Sequence, residues 1–263
     1  MRHDGHAKHR QKMIEPLFDE SLKPPGHAAW LMEWRAVLEL GAGLAAAPAL
    51  ARLPRGDGHP VMVLPGFLTS DLSTALLRRL LGAWGYRVEK WSLGPNLTFN
   101  QAIVDRIGDR AHALSREQGR KVSLIGWSLG GLLAREVARR NAEDVRQLVT
   151  LSSPFARNFK ASNLGGLYEF INGETVAHMG VDLIGRLSRP VAVPSTAIYT
   201  RSDGIVAWQT CMEQQEGPWA ENVAVRGSHC GLVYNPQALR VVADRLSQPE
   251  GKWRRIDDTS TNG

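Results

Sequence analysis

Residues 124–132 read L-I-G-W-S-L-G-G-L, an apolar run that leads into a serine with a glycine two positions away on each side. The serine is Ser128, and the glycines are Gly126 and Gly130. The stretch before the serine has the apolar pattern of a buried strand, and the stretch after it has the periodicity of a helix. Ser128 is therefore predicted to lie in a tight turn between a strand and a helix.

A G-x-S-x-G turn in this setting is the pattern of a nucleophile elbow. The turn forces the serine into a strained backbone conformation, and glycine at 126 and 130 avoids collisions with neighbouring elements. The strain exposes the serine Oγ, and the helix N-terminus directs its unpaired N–H groups toward an oxyanion formed nearby. The same residues also fit a serine that only caps the helix N-terminus, so the choice between the two depends on whether the rest of the chain supplies a base and an acid.

Strands and helices alternate on both sides of this turn. The predicted strands are 61–64, 86–91, 121–125, 146–151, 195–200 and 222–225. The predicted helices are 72–81, 101–118, 129–140 and 236–246. The fold class is therefore α/β, with a mainly parallel sheet of about six strands flanked by helices and ligand sites at the carboxyl ends of the strands.

The chain divides into a core and three additions. Residues 59–154 and 194–248 form the predicted α/β core. Residues 155–193 hold short helical patterns without a strand and are predicted to form a small helical cap. Residues 1–58 combine a polar tail with an apolar stretch that is too short to span a bilayer, which predicts a packing helix. Residues 249–263 are expected to be a C-terminal tail.

Charge and cysteine content narrow the function classes. The net charge is +6, but the basic residues occur as scattered pairs without interleaved aromatic residues, which argues against nucleic-acid binding. The only two cysteines, Cys211 and Cys230, exclude a disulfide framework and favour free thiols, although one bridge between them stays open. The N-terminus lacks the apolar core of a secretion signal, so a cytoplasmic location is expected.

A nucleophilic serine needs a base, and the base needs an orienting carboxylate. In a fold with a nucleophile elbow, the acid and then the histidine follow the serine, each just beyond a strand. Asp203 lies in Y-T-R-S-D-G-I-V after the fifth predicted strand, and His229 lies in R-G-S-H-C-G after the sixth. No other histidine has that placement, and L-S-S-P-F-A-R-N after the fourth strand contains no acidic residue. The predicted catalytic residues are Ser128, Asp203 and His229.

An oxyanion hole in this fold combines the N–H that follows the nucleophile with one from the loop after the first strand. The first is the amide of Leu129. The second is predicted to be the amide of Phe67 in L-P-G-F-L (64–68), where Gly66 lets the backbone bend.

At these motifs the chain resembles the α/β-hydrolase superfamily over about residues 60–248. G-W-S-L-G-G is similar to the elbow of bacterial carboxylesterases that act on acyl methyl esters, and P-G-F, S-D-G-I-V and G-S-H-C-G-L resemble the bacterial esterase/lipase branch. The resemblance implies ester hydrolysis through an acyl-serine, with no metal or organic cofactor. Two departures stand out: Pro65 occupies a position where many members have histidine, and no pair of strands precedes residue 60.

The predicted substrate is a small-molecule or lipid-like ester with a hydrophobic acyl group, and Trp127, Leu167 and Phe170 are predicted to line its pocket. The same triad also fits lipase, thioesterase and amidase activity. Net positive charge and the apolar segment 30–50 leave peripheral membrane contact, as in a membrane-surface lipase, open. A non-catalytic binding protein would show a broken triad or a filled elbow, and neither is seen. The sequence does not indicate an oligomeric state.

Overall fold

The computed structural model describes residues 21–157, 161–163 and 181–256. A single six-stranded sheet has the strand order β2-β1-β3-β4-β5-β6. The strands are β1 (Pro60–Leu64), β2 (Arg87–Glu89), β3 (Val122–Trp127), β4 (Val145–Leu151), β5 (Ser195–Tyr199) and β6 (Ala220–Ala224). Every pairing is parallel, so all strands end at the same edge. The prediction of a parallel sheet of about six strands is confirmed.

Helices cover the sheet. The α-helices of the described residues are α1 (His27–Leu31), α2 (Ala36–Leu50), α3 (Ala75–Ala83), α4 (Gln101–Gln118), α5 (Leu129–Arg140), α6 (Val181–Leu187) and α7 (Pro236–Ser247). The bounds of α4 and α5 agree with the sequence prediction. Asn100 caps the start of α4 by accepting the N–H of Ile103, and Gly119 ends it in the left-handed conformation, with φ of 59°.

Two apolar layers enclose the sheet, one on each face. Side chains of α3 and α7 pack on one face, where they meet Val61 and Val63 of β1. Side chains of α4 and α5 pack on the other face, where they meet Met62 and Leu64 of the same strand. Because alternate residues of a strand enter opposite layers, the central strands need apolar residues at nearly every position. This requirement explains why the central strands appear in the sequence as nearly continuous apolar runs.

The first part of the chain forms an N-terminal helical segment, defined here as residues 27–50, in which a 3₁₀ turn (Met32–Arg35) joins α1 to α2. Leu50 is buried in the core, and Ala46 and Ala47 pack against the same cluster. Val37, Leu38 and Leu44 are exposed, whereas Glu33 is buried. None of the helices in the described ranges combines the length and the apolar character that a membrane crossing requires. A buried carboxylate needs hydrogen-bond donors, so Glu33 is expected to pair with buried polar groups.

Arg135 of α5 holds the end of α6 and the residues that follow it in place. Arg135 pairs with Glu213 through both carboxylate oxygens, at 2.5 and 2.8 Å, and both side chains are buried. The same guanidinium donates to the carbonyl oxygens of Leu187 and Arg189, at 2.5 and 2.9 Å. A bidentate pair of this kind is directionally specific. It fixes the end of α6 against the helix that follows Ser128.

The amino-terminal edge of the sheet contains a second Ser-His-Asp chain. His59 is fully buried; its Nδ1 lies 2.6 Å from the Asp57 carboxylate, and its Nε2 lies 2.7 Å from the Ser123 hydroxyl. Ser123 sits inside β3, where ordinary strand geometry and complete burial withhold its Oγ from any substrate. Burial lowers the pKa of His59 to about 4, against the opposing attraction of Asp57. This chain is a structural polar network between β1 and β3.

His59 therefore predicts an acid-sensitive component of stability. Its pKa is about 4 in the folded protein, against an ordinary value of 6.5, so the unfolded chain binds the proton first as the pH falls. The contribution of neutral His59 is complete above pH 6.5 and is lost down to about pH 4, on the order of 3 kcal/mol in total. Urea unfolding between pH 7 and 4.5 should show a smaller pH-dependent loss of unfolding free energy in His59→Gln than in wild type.

The matched control is His27→Gln, which changes an exposed histidine of α1. It should retain the wild-type slope of unfolding free energy against pH. An identical slope for His59→Gln and wild type would contradict the assignment of this titration to His59.

Candidate active site

Ser128 lies at the carboxyl end of β3, in the N-cap position of α5. Its backbone has φ of 52° and ψ of −121°, a conformation that is unfavourable for a residue with a side chain. Its N–H donates to the carbonyl of Leu151 at the end of β4, at 2.9 Å. The strain is therefore held by the sheet, and the Ser128 side chain makes no cap hydrogen bond to α5.

Three glycines allow the elements around Ser128 to approach one another. A Cβ at Gly126 would lie 2.4 Å from the Cα of Gly131, and one at Gly130 would lie 2.3 Å from the carbonyl oxygen of Leu64. A Cβ at Gly131 would lie 1.8 Å from the Ser153 Oγ. Crowding at the first two glycines was expected from the sequence, whereas Gly131 was assigned no role. The second glycine of the G-G pair is the signal that was overlooked.

The structure brings Ser128, Asp203 and His229 together in one hydrogen-bonded chain. His229 Nε2 lies 3.0 Å from Ser128 Oγ, and His229 Nδ1 lies 2.8 Å from Asp203 Oδ2. All three residues are buried or nearly so. Asp203 follows β5 and His229 follows β6, so both come from the edge of the sheet that carries Ser128. In this order the imidazole can accept the proton of the hydroxyl, and the carboxylate can stabilise the imidazolium that results.

The environment of the imidazole favours its protonated form. Burial disfavours the charge, but Asp203 and Glu33 outweigh burial and raise the pKa of His229 above its ordinary value. The second carboxylate oxygen of Asp203 accepts the N–H groups of Ile205 and Val206, at 2.9 and 2.8 Å. These bonds orient the carboxylate toward His229, so the site can accept a proton from the serine and hold the resulting imidazolium.

The loop after β1 lies beside the start of α5. The crowding at Gly130 involves the carbonyl oxygens of Leu64 and Pro65, so this loop packs directly on the helix N-terminus. Asn96 is fully buried and anchors the loop. Its side-chain Nδ2 donates to the Pro65 carbonyl at 2.7 Å, and its backbone carbonyl oxygen accepts the Leu68 N–H at 2.9 Å. The sequence carries no signal for Asn96. The loop that carries Phe67 therefore packs beside the start of α5, where Leu129 lies, and the direction of the Phe67 amide stays a prediction.

The predicted pocket residues have different outcomes. Trp127 is buried, and its indole N–H donates to the carbonyl of His229 at 3.0 Å. Its ring also faces the His229 imidazole, with 6.2 Å between centroids. Trp127 therefore holds the backbone of His229 and packs near its ring. Leu167 and Phe170, with most of the predicted cap, lie outside the described residues.

A small apolar cluster begins at the residue that follows Ser128. Leu129 and Leu132 of α5 pack with Phe155 and with Leu183 of α6, and Phe67 lies against the same cluster. The cluster members Leu129, Leu132, Phe155 and Leu183 are buried. Apolar packing therefore continues from the start of α5 to the chain after β4 and to α6.

The N-terminal helical segment supplies contacts that the sequence pattern did not indicate. Glu33 and Glu39 accept backbone N–H groups of the loop that carries His229. The glycines in S-D-G and G-S-H-C-G could have indicated these contacts, because the carboxylates approach the backbone closely at Gly204 and Gly231.

Both cysteines are free thiols. Burial, and after it the nearby Glu33 carboxylate, raises the pKa of Cys230 to about 12.

Comparisons with known proteins agree with this architecture. No protein-family model matches the chain. A pimeloyl-[acyl-carrier protein] methyl ester esterase of Shewanella woodyi is 34% identical over 99 residues, so the match spans 37% of this chain and only 37% of the relative. Lipase B of Aspergillus fumigatus has a TM-score of 0.59 at 20% identity, over 80% of this chain and 58% of that one. A monoacylglycerol lipase of Paleococcus ferrophilus has a TM-score of 0.54 at 16% identity, over 74% and 96% of the two chains.

The structural likeness establishes the fold. The chain has the α/β-hydrolase fold, which confirms the fold expected from the sequence resemblance.

The crowding at the elbow predicts a large effect of a single methyl group. Gly130→Ala places a Cβ against main-chain oxygens that cannot move aside, so the unfolding free energy should fall by about 3 kcal/mol or more, or the protein should not fold. Gly82→Ala in α3 is the matched control, since its Cβ meets nothing within 4 Å. There, the better helix propensity of alanine should raise stability by up to about 1 kcal/mol. Urea unfolding of both variants measures the difference, and equal stability would contradict the close approach.

Proposed function

We propose that this protein is a serine hydrolase that cleaves carboxylic esters through an acyl-Ser128 intermediate, as a carboxylesterase. The observation that carries the proposal is the chain of contacts from the strained Ser128 through His229 to the buried Asp203. A serine that only capped α5 would need neither a positive φ nor an imidazole at 3.0 Å from its hydroxyl. The partial similarity to a methyl ester esterase supports the same reaction class.

The first half of the reaction forms the acyl-enzyme. Ser128 Oγ attacks the ester carbonyl carbon while His229 Nε2 takes the hydroxyl proton. Collapse of the tetrahedral intermediate breaks the bond between the carbonyl carbon and the alcohol oxygen, and the imidazolium returns the proton to the departing alcohol. Asp203 stabilises the imidazolium and fixes the tautomer that directs Nε2 toward the serine.

The second half releases the acid. Water takes the place of the alcohol and gives its proton to His229 as it attacks the acyl carbon. The bond to Ser128 Oγ then breaks, the proton returns to the serine, and the carboxylic acid leaves. These residues carry out both halves without a cofactor.

The negative charge on the carbonyl oxygen needs donors in both halves. Leu129 is the first residue of α5, so its N–H has no carbonyl one turn back within the helix. With the amide of Phe67 on the adjacent loop, it forms the proposed oxyanion hole. Loss of one donor in such a site typically reduces turnover on the order of a hundredfold to a thousandfold.

The acyl group is proposed to be hydrophobic. The apolar cluster around Leu129, Phe155 and Leu183 lies beside the elbow and suits a hydrocarbon chain. Residues 155–193 are proposed to form a helical cap that determines which ester is accepted, and Trp127, Leu167 and Phe170 are proposed to line the substrate pocket. Esters, thioesters and amides of matched acyl chain, assayed at increasing chain length, separate carboxylesterase activity from the thioesterase and amidase alternatives.

The nucleophile is tested by labelling and by turnover. A fluorophosphonate should label the wild-type protein at Ser128, and Ser128→Ala should abolish both labelling and hydrolysis of p-nitrophenyl esters while the fold is kept. Asp203→Asn should lower turnover by several orders of magnitude, about ten-thousandfold in the analogous triad. Labelling that persists in Ser128→Ala would assign the nucleophile elsewhere, and near-normal turnover in Asp203→Asn would remove Asp203 from the mechanism.

A second candidate is hydrolysis at a lipid surface. The observation that favours it is the outward side of the N-terminal helical segment, where Trp30, Trp34 and Val37 are exposed together with further apolar residues. Exposed apolar groups in close sequence are typical of contact sites, and tryptophan favours the boundary between water and lipid. The basic net charge of +6 would add attraction to anionic lipids.

Flotation with vesicles tests the lipid-surface candidate. Vesicles of anionic and zwitterionic lipid should carry the wild-type protein upward in a density gradient, and Trp30→Ser/Trp34→Ser should reduce the bound fraction. Trp219→Ser is the matched control, because Trp219 is similarly exposed next to β6 and outside the segment. A wild-type protein that stays at the bottom of the gradient, or equal effects of the two sets of variants, would exclude the N-terminal helical segment as a lipid contact.

A further inference from the structure

The two loops that carry Asp203 and His229 are irregular. The acid loop (residues 200–206) follows β5, and the histidine loop (residues 226–231) follows β6. The two loops meet near their beginnings, where the hydroxyls of Thr200 and Ser202 donate to the carbonyl oxygen of Gly227, at 2.8 and 2.7 Å. The 2.8 Å contact between Asp203 and His229 lies beyond these bonds, so a further contact that holds both loops there bears directly on it.

One carboxylate of the N-terminal helical segment contacts both loops. Glu33 Oε1 accepts the N–H of Gly204 in the acid loop at 2.8 Å and the N–H of His229 in the histidine loop at 3.0 Å. Glu33 Oε2 accepts the N–H of Cys230 at 3.0 Å. The side chain is thus the shared hydrogen-bond acceptor of the residue after Asp203 and of His229 itself. Bonds from N–H groups to a carboxylate are stronger than those between neutral groups.

The backbone of the acid loop is shaped to admit this side chain. A Cβ at Gly204 would lie 2.2 Å from the carbonyl oxygen of Ala29 and 2.9 Å from Glu33 Cγ. The first contact is with main chain, which cannot rotate away. Glycine at 204 therefore lets α1 and Glu33 approach the loop next to Asp203.

Two other charged residues of the N-terminal helical segment also contact the acid loop and the histidine loop. Glu39 Oε1 accepts the N–H of Ser228 at 2.7 Å, and Arg35 donates to the carbonyl oxygens of Ser202 and Gly227, at 2.5 and 3.0 Å. Arg35 also lies 3.8 Å from Glu39. These contacts add one bond to the histidine loop and one cation between the loops, but only Glu33 binds the amide of His229.

Several charged groups face His229 among the described residues. Asp203 contacts its ring, Glu33 contacts its amide, Glu39 contacts the preceding residue, and Arg35 contacts the carbonyl of residue 227. Cys230 follows in sequence and carries a neutral thiol. Glu33 thus adds a second negative charge near His229, next to its backbone N–H, which stabilises an imidazolium.

We propose that Glu33 is a positioning residue of the site: its carboxylate holds the acid loop and the histidine loop in one arrangement and stabilises protonated His229. This inference rests on the proposed serine hydrolase function, which it deepens by assigning a role to the N-terminal helical segment. Glu33 acts through the backbone and through its charge, and it touches neither the serine nor the position of the ester.

Glu33→Gln removes the charge with little change of shape and is the main test. In the full-length protein, NMR titration of ¹³C-labelled histidine should show that the pKa of His229 falls by roughly half a unit or more. The maximal rate of fluorophosphonate labelling at high pH should fall on the order of tenfold to a hundredfold, because the imidazole is less well placed. Glu39→Gln is the matched control, since that carboxylate contacts neither Gly204 nor the amide of His229; it should leave the pKa of His229 within about 0.2 unit of wild type.

A folded Glu33→Gln protein with the wild-type pKa of His229 and the wild-type labelling rate would overturn the inference, whatever happens to its melting temperature. If that variant does not fold, Glu33→Asp takes its place: it keeps the charge, shortens the reach, and should slow labelling at least about tenfold with the pKa of His229 retained. An unchanged labelling rate in Glu33→Asp would also overturn it. Neither the pKa of His229 nor the labelling rate requires ester turnover. If the wild-type protein is labelled but cleaves no ester, the proposed function is contradicted, while both measurements on the Glu33 variants can still be made.

Discussion

The structure depends on the close approach of α5 to the ends of β1 and β4. Glycine at 130 lets the helix meet the carbonyl oxygen of Leu64, and the N–H of Ser128 is held by Leu151. These contacts leave Ser128 no relaxed alternative, so its strained backbone is a property of the whole sheet and not of the turn alone. They also place the loop after β1 beside the helix N-terminus. Nucleophile geometry and the proposed oxyanion donors therefore have one common cause.

The second requirement concerns the irregular loops at the same edge of the sheet. Their backbone N–H groups are buried, and an unpaired buried N–H is destabilising by about 1–3 kcal/mol. Glu33 and Glu39 supply acceptors for four of these groups. Because a helix that turns its charged side inward must turn another side outward, the same arrangement exposes Val37 and Leu38. The exposed apolar surface and the inward-facing carboxylates, of which Glu33 is buried and Glu39 is half-buried, are two results of the same packing.

The sequence was most informative where local patterns determine structure. Strands buried on both faces appear as apolar runs, and α4 and α5 have clear ends at Asn100, Gly119 and Ser128. Strand order then indicated which acid and which histidine lie near the serine. Glu33 and Asn96 escaped prediction because their roles come from contacts with distant residues: the bond from Gly204 to Glu33 spans 171 positions. Hydrophobic periodicity also cannot tell an inward apolar face from an outward one, so it gives no sign that Val37 and Leu38 of α2 are exposed.

The bonds of Glu33 also constrain the order in which the molecule forms. Cys230 is separated from Glu33 by 197 positions, so the chain must be almost entirely available before this contact exists. Contacts of such high sequence separation close large loops and form late. In an unfolded chain the Glu33 carboxylate is hydrated, and it gains its three N–H partners only when both loops are in place. The support of Ser128 is separate, because its N–H is held by Leu151, so loss of the N-terminal helical segment would remove the shared acceptor of the two loops without removing a contact of the elbow.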